Sequence, residues 1–233
     1  MNKNSIILEV RPAAGGLEAK IWAADLTRMY LRFANRQNFK TQLINEGTLR
    51  VSGENVFEKL KYEAGVHRVQ RIPKTERYGR IHTSTATVAV LPEIEEKDLK
   101  INPEDIEFQA FRASSQGGQN VQKVSTAVRL RHKPTGITVT CQTERSQNQN
   151  RMLAMNHLRA KLWAMEKEKK QTKISGMRAA QIGRGMRAEK IRTYNFSQNR
   201  VTDHRTGKTY YDLGGILDGN LDIIIRDLQK TEI

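Results

Sequence analysis

One cysteine, Cys141, stands in the whole chain, so neither an internal disulfide nor an all-cysteine metal centre can form. The five histidines (His67, His82, His132, His157, His204) are scattered without ligand spacing, and no metal or other cofactor is expected. No apolar run is long enough to predict a membrane span. The start MNKNSIILEV has neither the apolar core of a signal peptide nor the Arg/Ser-rich character of a transit peptide, which leaves the cytoplasm as the expected compartment. Acids are scarce where bases are dense. Between Arg145 and Arg192 thirteen Lys/Arg face three Glu, so that segment holds most of the formal charge of +15. A cluster of this kind is the electrostatic footprint of phosphate contacts, and it points to a nucleic-acid partner.

What is present is enough for a globular protein. At 233 residues and 37% hydrophobic content the chain can hold one large domain or two to three small ones, each with its own apolar core. Residues 5–10 read as a strand. From Leu17, apolar residues at Trp22, Leu26, Met29, Tyr30 and Phe33 have the spacing of one buried helix face. Alternation over 80–91 gives another strand, so the first ~95 residues form an α+β unit. A boundary is expected in the acidic stretch 93–98. Alternating strands follow at 106–111 and 128–131, and Pro134, Thr135 and Gly136 turn the chain into a third at 137–141. Ser146 is an N-cap for a long helix with Met152, Met155, Leu158, Leu162 and Met165 as its core stripe. Residues 167–192, interrupted by Gly176, Gly183 and Gly185, read as a helix running into a mobile connector. Residues 200–212 form a hairpin, and Asn220 caps a last helix carrying Leu221, Ile224, Ile225 and Leu228.

Seven polar or glycine residues follow the strand at 106–111: Ser114, Ser115, Gln116, Gly117, Gly118, Gln119 and Asn120. They cannot build a core. Paired glycines permit positive φ and close backbone approach to a partner, and Arg112, Lys123, Arg129 and Arg131 flank the loop with positive charge. Residues 111–119 (FRASSQGGQ) with 125–129 (STAVR) resemble the catalytic region of the class I peptide chain release factors. The likeness continues in 67–76 (HRVQRIPKTE), 79–84 (GRIHTS), 86–93 (ATVAVLPE), 134–136, 142–147 (QTERSQ), 191–196 (IRTYNF) and 200–205 (RVTDHR), covering nearly the whole chain.

The resemblance implies a multi-domain α+β fold. An α/β sandwich-like codon-reading superdomain would span 1–99 and be completed by 190–233. A smaller α+β catalytic domain, 100–189, would carry the Gly-Gly-Gln loop and the long basic helix. It also implies hydrolysis of the peptidyl-tRNA ester by water, promoted only within the ribosomal peptidyl transferase centre. The backbone N–H of Gln119 would stabilise the developing negative charge, its side chain would admit and position water, and Gly117 and Gly118 would supply the backbone shape. Pro73, Lys74 and Thr75 resemble the Pro-x-Thr tripeptide of the type that reads UAA and UAG. Proline fixes φ, and Thr75 could then hydrogen-bond the edges of unpaired bases. By the same resemblance Gly15 and Glu18 at a helix tip contact the first uridine, His82 stacks on the second base, and Gln70 and Thr83 read the third.

The implied partners are the ribosome and its RNA, an mRNA stop codon, peptidyl-tRNA, a recycling GTPase and a glutamine N-methyltransferase that modifies Gln119. No membrane partner is implied. The chain departs from the family's pattern in three ways: it starts almost directly at the codon-reading domain, without the usual helical domain before it; 43–56 is short; and Gln116, Gln122 and Val124 replace Pro or Ala, Asn, and Thr. Two other readings stand beside codon-dependent release. One is a codon-independent rescue hydrolase, which would lack the codon-reading domain or carry a basic tail, whereas this chain ends DLQKTEI. The other is a non-catalytic RNA-binding module, which would show a degenerate Gly-Gly-Gln.

Overall fold

The computed structural model of the chain describes residues 3–73, 76–93, 101–112 and 124–231. The chain divides into two compact units, Met1–Glu95 with Ile174–Ile233, and Glu96–Lys173. The first division falls in the expected acidic stretch. The second comes earlier than the expected 189, for a reason visible in the packing below.

In the larger unit β1 (Ser5–Pro12), β2 (Lys40–Asn45), β3 (Thr48–Ser52), β4 (Gly65–Arg71), β5 (His82–Pro92), β9 (Lys190–Asn195), β10 (Arg200–Asp203) and β11 (Thr209–Tyr211) form one sheet. Its order is β11-β10-β9-β4-β5-β1-β3-β2, an eight-stranded sheet. Neighbours are antiparallel except β4 and β9, which run parallel. A parallel pair needs a long crossover, and here the smaller unit is that crossover. Helix α1 (Leu17–Arg36) covers one face, and Trp22, Leu26, Met29, Tyr30 and Phe33 are all buried, as their spacing requires. They join Ile6, Leu8, Val10, Val88 and Val90 in the main core. The short helices α2 (Val56–Leu60) and α4 (Leu213–Leu217) and the amphipathic α5 (Asp222–Lys230) close its edges. The N-cap of α5 is Leu221 rather than the expected Asn220, one residue later.

The opposite face of β1 and β5 is covered too. The long helix α3 (Gln147–Ile182) ends there. Arg178 donates to both oxygens of Glu9 at 2.6 and 2.9 Å. Gln181 exchanges two hydrogen bonds with the backbone of Val90, each 2.9 Å. Burial on both faces explains why residues 84–92 of β5 are all buried. It also explains the early division, since these last turns of α3 belong to the large sheet. The sequence reading of a mobile connector near Gly183 is therefore corrected. Helix α3 runs unbroken through Gly176, and the turn after it is tied. Glu189 accepts from the N–H of Arg184 and of Met186 at 2.9 and 3.2 Å, and Thr85 Oγ1 donates to the Gly185 carbonyl at 3.2 Å.

In the smaller unit β6 (Ile106–Phe111), β7 (Ala127–His132) and β8 (Thr138–Cys141) pair antiparallel in that order. The turn at Gly136 takes φ +71°, as the Pro-Thr-Gly signal anticipates. Val128, Leu130, Val139 and Cys141 pack against Ala154, Leu158 and Leu162 of α3. Met155 and Met165 lean on that cluster, but Met152 is 62% exposed and is not part of the stripe. The core face follows Asn150, Ala154, Leu158 and Leu162 at strict four-residue steps. Asn150 closes the first turn by bonding the carbonyls of Thr126 and Glu144 at 2.9 and 2.8 Å. Among the described residues no helix is long and apolar enough to cross a membrane.

A buried polar network joins the two ends of the chain in the larger unit. Arg192 on β9, fully buried, donates twice to Glu63 at 2.6 and 2.8 Å and twice to Asp203 on β10, each at 3.2 Å. Tyr30 of α1 donates to Glu63 at 3.0 Å, and His67 of β4 contacts the Tyr194 hydroxyl at 3.2 Å and the Glu63 carbonyl at 2.9 Å. Trp22 donates to the His67 carbonyl at 3.1 Å and meets the Tyr194 ring edge-on at 4.8 Å. Burial is opposed by Arg192, which holds the Glu63 carboxyl below the usual range. Burial, with Arg192 adding to it, pushes His67 down to about 4 from 6.5.

Two outcomes follow from this network. Arg192→Ala strands two buried carboxylates, and urea unfolding should show a loss of about 3–5 kcal/mol. His67 is neutral in the fold, so its contribution is intact above pH 6.5 and is lost as pH falls toward about 4. That loss should reach about 3 kcal/mol, and it should shrink in His67→Gln when urea midpoints are compared at pH 7.5 and 4.5.

Candidate functional site

Strands β4 and β5 leave the sheet together, and β1 ends beside them where Pro12 faces Ala86. Three segments meet at this end: the loop 13–16 entering α1, the last residues of β4, and the first of β5. The loop is pinned to β5 by backbone bonds, Ala13 N to Thr85 O at 3.0 Å and Thr85 N to Ala14 O at 2.8 Å. Ala14 N also donates to Thr85 Oγ1 at 3.0 Å. Gly15 holds φ +134°, and a Cβ there would stand 2.3 Å from Ser84 Oγ. Only glycine meets both demands. Gly16 is the N-cap of α1, so the first N–H groups of that helix open at an exposed tip.

Glu18 lies in the first turn of α1 and is buried. Its Oε1 accepts from Arg71 Nε at 2.6 Å, while Arg71 also donates to Asp25 Oδ2 at 2.7 Å. The guanidinium lies over the rings of Trp22 and Phe196, 5.8 and 5.1 Å from their centroids. Glu18 and Asp25 stand seven residues apart on one face of α1, and Arg71 at the end of β4 clamps both. The other oxygen, Glu18 Oε2, is out of solvent and has no hydrogen-bond partner among the described residues. A buried acceptor left unpaired is costly.

Across the β4–β5 pair Gln70 faces Thr83, and Arg71 faces His82. Gln70 and Thr83 are half-buried, and His82 is exposed. His82 Nε2 lies 2.6 Å from Glu76 Oε2. The Glu76 carboxyl also accepts from Tyr78 N–H at 2.8 Å and from Arg80 at 3.3 Å. The Tyr78 N–H, then Arg80 and His82, hold that carboxyl below the usual range. Pro73 is buried, and its carbonyl accepts from Glu76 N–H at 3.0 Å. Around this polar set, Leu17, Ile72, Tyr78 and Ile81 expose large apolar surface, Tyr78 to 81%. Exposed apolar side chains grouped beside donors and acceptors make this end a candidate binding surface.

The structure thus brings Gly15, Glu18, Gln70, Pro73, His82 and Thr83 to one end of the large sheet. Lys74 and Thr75, and the Gly117, Gly118 and Gln119 triplet, lie outside the described residues. Arg71, Asp25 and Glu76 were not singled out from the sequence. The seven-residue spacing of Glu18 and Asp25 was a legible signal, but their shared partner on a distant strand was not. Among the described residues no group of three or more His, Cys, Asp or Glu could hold a metal ion.

The chain matches the PCRF domain over residues 1–88 and the RF-1 domain over 93–205. It is 55% identical to peptide chain release factor 1 of Thermotoga maritima, an alignment covering 97% of this chain and 69% of the relative. It is 52% identical to peptide chain release factor 1 of Aquifex aeolicus, covering 98% of this chain and 66% of the relative. The chain therefore spans about two thirds of the length of these curated relatives. Among solved structures, RF2 of Thermus thermophilus is similar at 40% identity and a TM-score of 0.57, over 99% of this chain and 68% of that one.

Arg71→Met would leave Glu18 and Asp25 without their shared cation. A loss near the lower end of the range for broken buried pairs, about 3 kcal/mol, is expected in urea unfolding. Adding Glu18→Gln should recover more than half of it. Simple additivity of the two losses would show that the pair is not coupled.

Proposed function

The chain belongs to the class I peptide chain release factors, and on that premise we propose that it reads UAA and UAG in the ribosomal A site and promotes hydrolysis of the peptidyl-tRNA ester. Membership brings engagement with the ribosome and tRNA, and the strongly basic charge suits that partner. The observation that carries the codon-reading half is the gathering of Gly15, Glu18, Gln70, Pro73, His82 and Thr83 at one end of the sheet. A helix tip with open N–H donors, a carboxylate with a spare oxygen, an amide, a hydroxyl and an imidazole make a mixed donor and acceptor set. Unpaired bases are recognised by such sets, through their Watson–Crick edges and by stacking.

In this reading Gly15 and the Glu18 tip meet the first uridine, His82 stacks on the second base, and Gln70 and Thr83 take the third. Pro73 sets the direction of Lys74 and Thr75, and Thr75 reads the base edges. Arg71 holds Glu18 inward, so a base N–H reaches Glu18 Oε2 only when the side chain turns toward the codon. The hydrolytic half rests on Gly117, Gly118 and Gln119. A tetrahedral intermediate and a departing ribose oxygen carry negative charge, and a fixed backbone N–H at Gln119 stabilises both without a general base from the protein. The remaining groups of that centre are ribosomal RNA. Within the same reading a glutamine N-methyltransferase modifies Gln119, a recycling GTPase removes the factor, and the cytoplasm is its compartment.

Codon-dependent release is favoured over codon-independent rescue by the retained codon-reading set and by the similarity to peptide chain release factor 1. The roles at Gln119 separate by substitution. Gln119→Pro deletes the N–H donor and should slow single-turnover release by roughly 10²–10³-fold with ribosome binding preserved. Gln119→Ala keeps the donor and should lose much less. Equal losses in the two variants would remove the backbone N–H from the mechanism.

A further inference from the structure

Helix α1 carries a second apolar stripe outside its core face. Leu17, Ala24 and Leu31 recur at seven-residue steps, and none of them is fully buried. Near this stripe stands the β2–β3 hairpin. Leu43 lies opposite Leu49 in the register and shares its face of the sheet, yet Leu49 is fully buried and Leu43 is 62% exposed. Helix and hairpin enclose a groove of 490 Å³ lined by Val10, Ala23, Ala24, Leu31 and Leu43. That volume lies within the roughly 300–1,000 Å³ of ordinary binding clefts. The hairpin side is fixed in place. Val10 N–H donates to the Gly47 carbonyl at 2.7 Å, and Gly47, at φ +74°, lies so close to β1 that a Cβ there would collide with the Val10 carbonyl oxygen. The groove's charged lining is mostly basic: Arg11, Lys20 and Arg28 stand against one carboxylate, Glu46. Arg28 is answered by Asp25 at 2.7 Å. Arg11 shares Glu9 with Arg178, which leaves a surplus positive charge there. Among the described residues Lys20 has no carboxylate within ion-pair distance.

We propose that this groove takes an amphipathic helix of a protein partner, with leucine-like side chains along its inner face and carboxylates on its flanks. The proposal goes beyond codon reading and does not depend on it. The occupant is a helix because the α1 stripe repeats every seven residues, the spacing of a helix-on-helix seam. The stripe also runs past the groove at Leu17, so the occupant is elongated. Ala24 at its centre lets two helix axes approach closely. Flanking carboxylates meet Lys20 and the surplus charge at Arg11. Unpaired RNA bases stack on aromatic rings, whereas the apolar lining here is aliphatic. A second copy would bring another basic rim to a chain already at +15. Pro12 and Lys20 also line the groove, so the partner stands beside the loop 13–16 that enters α1.

The test measures the anisotropy of a labelled three-heptad peptide, leucine at a and d and glutamate at e and g, on the full chain. A scrambled peptide of the same composition is the control. The ordered peptide should bind about tenfold more tightly than the scrambled one. Ala24→Arg places a strong helix former at an exposed position, so its thermal melt should coincide with that of the unaltered chain. It fills the groove and should weaken the ordered peptide about tenfold, whereas a contact made by charge alone would tighten. Leu43→Gln should weaken it roughly fivefold through lost apolar burial, and Lys20→Gln should flatten the salt dependence of binding. Equal affinity of the two peptides would overturn the proposal, as would an Ala24→Arg chain that binds unchanged or more tightly. Displacement of the ordered peptide by oligouridylate would overturn it in favour of RNA. A dimer in sedimentation that Ala24→Arg splits would overturn it in favour of a second copy. No ribosome enters the assay, so a chain inactive at UAA counts against the functional reading and leaves this one standing.

Discussion

Arg192 is the residue on which the larger unit is built. It is a cation with no solvent exposure, and two carboxylates from different parts of the chain converge on it. Glu63 comes from the turn before β4, and Asp203 from the strand after β9. Removing charges from water is expensive, and the arrangement is tolerable only because every polar partner is supplied and aligned. Its consequence is topological. The parallel pairing of β4 and β9 joins segments separated by the whole smaller unit, and the Arg192 cluster fastens that pairing from inside. His67 and Tyr194 extend the cluster across the pair, and Trp22 and Tyr30 extend it to α1. The strand that ends in Gln70 and Arg71 is therefore held from both sides before it reaches the end of the sheet where the candidate residues gather.

That rigidity bears on recognition. Discriminating bases by hydrogen bonds needs donors and acceptors fixed to within a fraction of an ångström. The loop before Gly16 is tied to Thr85 and His82 to Glu76, while Arg71 holds Glu18 inward. These three candidate residues each have a supporting partner. The small sheet has its own core of Val128, Leu130, Leu158 and Leu162. In the proposed reading, codon recognition and hydrolysis fall to different units, each with its own core.

Local periodicity revealed much of this fold in advance. The α1 stripe, the turn at Gly136, the final helix and the acidic boundary near residue 95 all follow from spacing and turn chemistry. The candidate residues came from a family likeness, because on spacing alone Gln70, His82 and Thr83 are ordinary strand residues. What stayed hidden was non-local. Nothing near Arg192 in sequence announces that it is buried, since arginine is usually exposed and its acids lie far off. The Arg71 clamp joins a strand to a helix 46 residues earlier. Met152 was misplaced because its position is rotated away from the Ala154 and Leu158 line. The glycines at 183 and 185 read as looseness, yet Glu189 and Thr85 tie that turn to the sheet.

The central claim is that hydrolysis is conditional on a stop codon read at the end of the large sheet. Single-turnover peptide release by the full chain, on ribosomes carrying UAA, UAG, UGA or an empty A site, measures it most directly. Fast release on UAA and UAG, slow release on UGA and none on the empty site is the expected result. Equal release on the empty site would contradict it, and would make the residues gathered around Gly15, Glu18 and His82 a ribosome anchor instead of a reader.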